Sequence, residues 1–173
     1  MSTSASPIDS PSDGAPAQEP AHDLAESFYA RADALYRCAV ESCRQHERVA
    51  DLDRRGALGP ERRAAQALAS LCDDALDELA VGYQRAATSA RPARGDAAAD
   101  ACWHAANGLW LAARELTRRH RTSARASRGI GEHGDRSSAR LAELALGYDL
   151  EASALLLLKQ AVDAYRKARP GAA

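Results

Sequence analysis

Arginines are concentrated in one short segment of the chain, and they are the residues with the clearest chemical potential. Eight of them fall between Arg114 and Arg140, on either side of the sequence Gly-Ile-Gly-Glu-His-Gly at 129–134, with only three acidic residues in the same segment. The chain as a whole has a net charge of −1, so this positive charge is local. A local positive field indicates anionic partners rather than a fold.

The glycine-rich stretch has the parts of a phosphate site. We expect an irregular connection over 122–136, followed by a helix that begins at Ser137 with free backbone amides. The match to G-x-G-x-x-G does not indicate a dinucleotide site, because no strand precedes it and no βαβ unit surrounds it. The alternative is a solvated loop whose arginines contact no ligand.

A second group of arginines lies between the first two helices, at 47–63. If the helices alternate in direction, this connection and the third one lie at the same end of the molecule. Together the segments 47–63 and 114–140 hold 13 arginines and 7 acidic residues. We therefore predict an anion-binding end for an acidic protein, a nucleic acid or a phosphate-bearing ligand. Its candidate residues are Arg54, Arg55, Arg118, Arg119, Arg121, Arg125, Arg128, Arg136 and Arg140.

Thiols and imidazoles provide the main alternative. Cys43 and His46 share one helical face, and soft ligands at this density can hold zinc or copper(I). Buried cysteines more often pack as small apolar residues. The candidate ligands of a metal- or thiol-dependent helical bundle would be Cys38, Cys43, His46, Cys72, Cys102 and His120.

Acidic residues at 73–77 spell DDxxD, which resembles the motif that holds magnesium-diphosphate in all-α prenyl and terpene synthases. The resemblance implies an all-α enzyme acting on diphosphates, but it covers five residues and a second acidic motif is missing. Helical spacing places Asp73, Asp74, Asp77 and Glu78 opposite Leu68, Leu71 and Leu79, so we expect these acids to face water.

Composition predicts an all-α protein of one domain. Alanine and leucine dominate the apolar residues, and strand-forming β-branched residues are few. Residues 1–20 hold four of the seven prolines together with five serines, which predicts a disordered acidic tail. Residues 21–169 should form an antiparallel up-down-up-down four-helix bundle, with helices at about 22–53, 60–89, 96–121 and 137–168. Gly59-Pro60 indicates the start of the second helix, and Gly95-Asp96 indicates the start of the third.

Apolar spacing predicts which side of each helix faces the core. The predicted inner residues are Leu24, Phe28, Ala32, Leu35, Ala39, Ser42, His46 and Val49 in the first helix; Leu68, Leu71, Ala75, Leu79 and Ala86 in the second; Cys102, Leu109, Ala113, Leu116 and His120 in the third; and Leu141, Leu144, Tyr148, Leu155, Leu158, Val162 and Tyr165 in the fourth. Glu151 lies on this inner stripe, so we expect a polar partner that sets the register, with Asn107 and the 37–44 turns nearest. The alternative is that Glu151 acts as an acid or base in a pocket.

The fourth helix carries a second apolar stripe, which one bundle cannot cover. Its residues are Leu146, Leu150, Ala154, Leu157 and Ala161. We interpret it as a surface for self-association or for a partner protein. The alternative is that the fourth helix is more central in an irregular bundle. The candidate interface residues are Leu146, Leu150, Leu157, Trp103 and Trp110.

The remaining features narrow the class of protein. No catalytic triad and no cofactor motif is evident, and the longest apolar run has five residues, against about 20 for a membrane span. Without a secretory signal, the four cysteines are expected as reduced thiols in a cytoplasm. Arginine preference with abundant alanine is typical of a GC-rich bacterial genome. We therefore predict a cytoplasmic, non-catalytic interaction protein that self-associates.

Overall fold

The computed structural model describes residues 21–57, 59–88, 96–133 and 137–169, with the side chains of 21–25 and 128–133 outside the description. Four helices make up these residues: α1 (Ala21–Arg54), α2 (Pro60–Ala87), α3 (Ala97–His133) and α4 (Ser138–Ala168). The all-α class is confirmed for the part of the chain that is described. The predicted tail, 1–20, lies outside it.

Local sequence determines most of the helix ends. At the end of α1, Gly56 adopts a φ of 69°, and the amide of Ala57 donates to the carbonyl of Leu52. This is the glycine-terminated motif in which a left-handed residue satisfies the last carbonyls of a helix. Helix α2 begins with Pro60 at its first position, where the absent N–H has no helical partner to lose.

The starts of α3 and α4 are capped by side chains. Asp96 accepts hydrogen bonds from the backbone amides of Ala98 and Ala99, both at 3.0 Å. Ser137 accepts from the backbone amide of Arg140 at 3.4 Å. Both caps satisfy amides that have no partner within the helix, so the predicted starts near 96 and 137 have a clear physical cause.

Helix α3 continues twelve residues further than predicted, through the expected connection, to His133. Each glycine in a helix costs about 1 kcal/mol relative to alanine, so the glycines at 129 and 131 favour a loop. Helices α3 and α4 form the most extensive helix pair, and we attribute the longer α3 to this packing. Gly147 of α4 lies so close to α3 that a methyl group there would sit 3.5 Å from Ser123 Cβ.

The helices pack as two hairpins. Helix α1 contacts mainly α2, and α3 contacts mainly α4, with smaller contacts between α2 and α3 and between α1 and α4. Contacts between α1 and α2 pair residues in opposite order along the two helices, as Arg31 with Gly82 and Ser42 with Asp73. The helix contacts are consistent with an antiparallel arrangement.

The core combines a few large rings with many alanines. Phe28, Tyr83 and Tyr165 are almost fully buried, with leucines from all four helices around them. Alanines at the same level, such as Ala32 and Ala80, allow the helix backbones to approach closely. The predicted inner faces of α1 and α3 are confirmed from Phe28 to Ser42 and from Cys102 to Leu116.

The predicted inner face of α2 is wrong. Leu68 and Leu71 are 45% and 65% exposed, and the buried residues of this helix are Ala65, Ala69, Asp73, Leu76, Ala80 and Tyr83. Two stripes of similar apolar content compete on α2. The one with Tyr83 and three alanines fits against α1, because small side chains permit close packing and the ring of Tyr83 fills the core.

The predicted inner face of α4 is correct only in its second half. Leu158 and Tyr165 are buried, whereas Leu141 and Tyr148 are about half exposed. Ala154, which the sequence assigned to the second stripe, is buried instead. A stripe rotated slightly from the predicted one therefore faces the other helices.

Candidate functional site

A layer of polar side chains crosses the interior and draws on all four helices. We call it the polar layer, and its members are Ser42 and His46 of α1, Ser70 and Asp73 of α2, His120 and Ser123 of α3, and Glu151 of α4. Asp73 is only 2% exposed. A buried carboxylate is costly unless hydrogen bonds and charge compensate it, so its partners determine what the layer does.

In the first hairpin, α1 supplies both partners of Asp73. The hydroxyl of Ser42 donates to Asp73 Oδ1 at 2.7 Å, and His46 Nε2 lies 2.9 Å from Oδ2. Both carboxylate oxygens are thus satisfied. The expectation that Asp73 faces water is wrong for this reason: the partners that make its burial tolerable lie on another helix.

In the second hairpin, formed by α3 and α4, Glu151 has the same kinds of partner as Asp73. It accepts a hydrogen bond from Ser123, and His120 Nδ1 lies 2.9 Å from its Oε1. Burial alone would raise the pKa of Glu151, but the hydrogen bonds from His120 and Ser123 outweigh it and hold the pKa below 4.5. The hydrogen bond with Glu151 in turn raises the pKa of His120 above 6.5.

The partners predicted for Glu151 were Asn107 and the 37–44 turns of α1. Asn107 instead accepts a hydrogen bond from Tyr83 at 3.1 Å. The charge that Glu151 requires comes from His120 on its own hairpin. A polar partner was therefore correctly expected, but the partner itself was not identified.

His120 joins the two halves of the polar layer. Its Nδ1 lies 3.7 Å from Asp73 Oδ2, and its Nε2 lies 3.4 Å from the hydroxyl of Ser70 on α2. The rings of His46 and His120 are 6.3 Å apart. These contacts exist only at one longitudinal register of the two hairpins, so the layer selects that register.

The thiols do not join this layer. Cys38 donates to the backbone carbonyl of Cys72 at 3.5 Å, and burial raises the pKa of Cys38 and of Cys43 to about 11, so both remain protonated thiols. All four cysteines are free. Across the described ranges, no three or more His, Cys, Asp or Glu side chains are grouped to hold a metal ion.

Helix α3 presents a row of arginines to solvent. Arg114, Arg118, Arg121 and Arg125 are spaced by four, three and four residues, so they lie on one side of the helix. We call this row the arginine face. All four side chains are exposed, and Leu111, one turn earlier, is 59% exposed. A groove of about 460 Å³ runs along the row.

Two members of the arginine face are paired with carboxylates. Arg118 donates to Glu115 at 2.8 Å, and Arg121 donates to Asp77 of α2 at 2.8 Å. Arg114 and Arg125 form no salt bridge with any residue that the structure describes. Arg125 is one of the predicted anion-binding residues and Arg114 is not, although the regular spacing of the four arginines is readable in the sequence.

The other predicted anion-binding residues are placed as follows. Arg54, the last residue of α1, and Arg55, which follows it, both contact Asp51. Arg119 contacts Glu115, and Arg140 contacts Glu143. Arg128 lies in the helical backbone of α3, and Arg136 lies outside the described residues.

Glycines 129 and 131 belong to α3 and not to a loop. Amides inside a helix already donate to carbonyls four residues earlier, so they cannot surround a phosphate. The predicted anion site at this glycine stretch is therefore not formed as a loop. The arginine face, earlier on the same helix, is where exposed cations come together.

The predicted self-association residues differ in exposure. Leu146 and Leu157 of α4 are 59% and 52% exposed, and Leu150 is partly buried. Trp103 and Trp110 pack partly against the core. Leu146 and Leu157 are thus open to solvent, whereas the tryptophans contribute to the bundle itself.

None of the described helices has an apolar stretch long enough to cross a bilayer. Comparison of the chain with protein-family models, with curated proteins and with solved structures gives no match.

Proposed function

We propose that this chain is a non-catalytic helical-bundle protein that binds an anionic partner through the arginine face of α3. The observation that carries the proposal is the spacing of four exposed arginines on one side of the helix, two of them without a carboxylate partner. Guanidinium groups bind carboxylates and phosphates with paired hydrogen bonds. The partner is an acidic protein surface, a nucleic acid or a phosphate-bearing ligand.

The shape of the surface favours an extended partner over a compact one. Arg114 and Arg125 are eleven residues apart, which is about 16 Å along a helix. A single phosphate group can contact only one or two of these side chains. A polymer with repeated negative charge can contact the whole row, and it can use the exposed Leu111 beside it.

An up-down-up-down arrangement is part of this proposal. It would place the end of α1, with Arg54 and Arg55, at the same end of the bundle as the last turns of α3. The contact of His46 with His120 supports this placement, because Arg54 and Arg128 each follow eight residues later on their helices. The arginines at that end would extend the positive surface.

The polar layer serves this function as a scaffold. His120 lies directly between Arg119 and Arg121 in the sequence, and its contacts with α2 and α4 fix the rotation of α3. Fixing that rotation keeps the arginine face directed to solvent.

Two further properties belong to the proposal. The protein is cytoplasmic, which its four free thiols support, and it self-associates through the exposed leucines of α4.

The test is a charge reversal on the arginine face. The double variant Arg114→Glu/Arg125→Glu should bind a labelled single-stranded oligonucleotide or a labelled polyglutamate peptide about tenfold more weakly or worse, measured by fluorescence anisotropy. The matched control, Arg85→Glu/Lys167→Glu, makes the same change in net charge at exposed residues of α2 and α4.

The probes distinguish the three classes of partner. Preference for the oligonucleotide, with affinity falling steeply as salt rises, indicates a nucleic acid. Preference for polyglutamate indicates an acidic protein, and competition of either probe by inorganic pyrophosphate indicates a phosphate ligand. Equal loss of binding in both double variants, or no binding by the wild type at low salt, would show the proposal to be wrong.

A further inference from the structure

Helices α1 and α4 are joined at two points and leave a groove between them. At one point, Asp33 accepts hydrogen bonds from Tyr165 at 2.7 Å and from Arg169 at 2.8 Å. At the other, Lys159 contacts Glu47 at 2.7 Å. Asp33 and Glu47 are fourteen residues apart, about 21 Å of helix. The groove between these two contacts has a volume of about 780 Å³.

The floor of this groove is apolar. Tyr36, Val40 and Cys43 of α1 and Val162 of α4 line it. Tyr36 and Cys43 are nearly buried, and the two valines are partly exposed. Apolar side chains that meet water at the bottom of a groove gain free energy when an apolar group covers them.

The rim of the groove is cationic. Lys159 and Arg166 are each paired with a carboxylate of the rim, Glu47 and Asp163. Arg37 is exposed and forms no salt bridge among the described residues, and Arg44 approaches Glu41 only at 3.6 Å. Arg37 and Arg44 are seven residues apart, so they lie on the same side of α1 with Val40 between them.

We infer that this groove binds a small amphipathic anion, with its alkyl or aryl group on the valine floor and its carboxylate or other acidic group at Arg37 and Arg44. The volume lies within the range of small-molecule sites, about 300–1,000 Å³. Charge complementarity selects an anion over a neutral or cationic amphiphile. This site is separate from the arginine face, since no residue of α3 lines it.

The valines of the chain allow a direct test in solution. There are four, Val40, Val49, Val81 and Val162, and only Val40 and Val162 line the groove. Octanoate, added to protein with isotope-labelled valine methyl groups, should shift the NMR signals of Val40 and Val162 and leave those of Val81 unchanged. Octan-1-ol and octylammonium, with the same chain but no negative charge, should produce smaller shifts at the same concentrations.

Two exposed arginines provide the variant. Arg37→Gln/Arg44→Gln should weaken octanoate binding about tenfold, whereas Arg85→Gln, on α2, should leave it unchanged. Unchanged binding in the double variant would overturn the inference, as would equal shifts with octylammonium. Uniform shifts at all four valines would also overturn it, as would the absence of any shift at the highest octanoate concentration. Binding of polyglutamate at this groove in place of octanoate would assign it to an acidic protein segment and overturn it too.

Discussion

Two groups of side chains depart from the usual rule that charged residues are exposed and large apolar residues are buried. The polar layer places two carboxylates and two histidines inside the bundle, and α4 leaves Leu146 and Leu157 on its surface. The first exception is compensated within the chain, because each buried carboxylate has a hydroxyl and an imidazole as partners. The second has no such compensation, so it is the one that indicates a partner from outside.

The polar layer and the exposed leucines therefore lead to different conclusions about function. A buried charge that is fully satisfied by its own fold adds specificity to packing, since only one register satisfies it. An exposed apolar surface gains free energy only when another surface covers it. We therefore assign the polar layer to the scaffold and the exposed surfaces to binding, and three experiments test that division.

The largest expected effect is on the stability of the polar layer. Asp73→Ala leaves Ser42 and His46 in the interior without their acceptor, so the free energy of unfolding should fall by about 3 kcal/mol. The matched control is Asp74→Ala at the exposed neighbouring position, with a change within about 0.5 kcal/mol. Urea denaturation of both variants measures the difference. Similar values for the two would mean that the buried carboxylate has no special role.

A smaller effect is expected from pH. The raised pKa of His120 means that the folded state binds its proton more tightly than the unfolded state. Its contribution to stability is therefore complete below pH 6.5 and is lost as pH rises through the folded pKa. Glu151 has a lowered pKa, so its contribution is present above pH 4.5 and is lost as pH falls through the folded pKa.

The two directions together predict a maximum contribution from this pair between about pH 4.5 and 6.5. Glu151→Gln removes the charge but keeps the shape, so it should lower stability by about 1 kcal/mol in this range and flatten the dependence on pH. Denaturation midpoints measured from pH 5 to 8 provide the test, with Asp149→Asn as the exposed control. A profile identical to that of the wild type would contradict the assigned role of His120 and Glu151.

The smallest effect on stability is expected at the leucines of α4. Leu146→Glu/Leu157→Glu changes only exposed positions, so the stability of the monomer should change by no more than about 0.5 kcal/mol. Its effect should appear in assembly, because charge on the apolar surface opposes self-association. Sedimentation velocity should show a larger species for the wild type and a monomer for the variant. A wild type that remains monomeric at tens of micromolar would remove this role of the surface.

The sequence predicted the class of fold and many of its details. Alanine-rich composition indicated helices, and Gly59-Pro60, Asp96 and Ser137 indicated where three of them begin. These features depend on propensity and capping, which act over a few residues. For the same reason the inner faces of α1 and α3, each with one dominant apolar stripe, were assigned correctly.

Only the tertiary structure decided which stripe of α2 is buried, where α3 ends and what Glu151 contacts. Asp73 was assigned to water because it lies opposite Leu68 and Leu71 on α2, whereas Ser42 and His46 on α1 supply two partners in the interior. Glycines 129 and 131 were assigned to an irregular connection because glycine is flexible, whereas their backbone is part of α3 and α4 packs along that helix. In each case the free energy came from residues distant in the sequence, whose position a local pattern cannot contain.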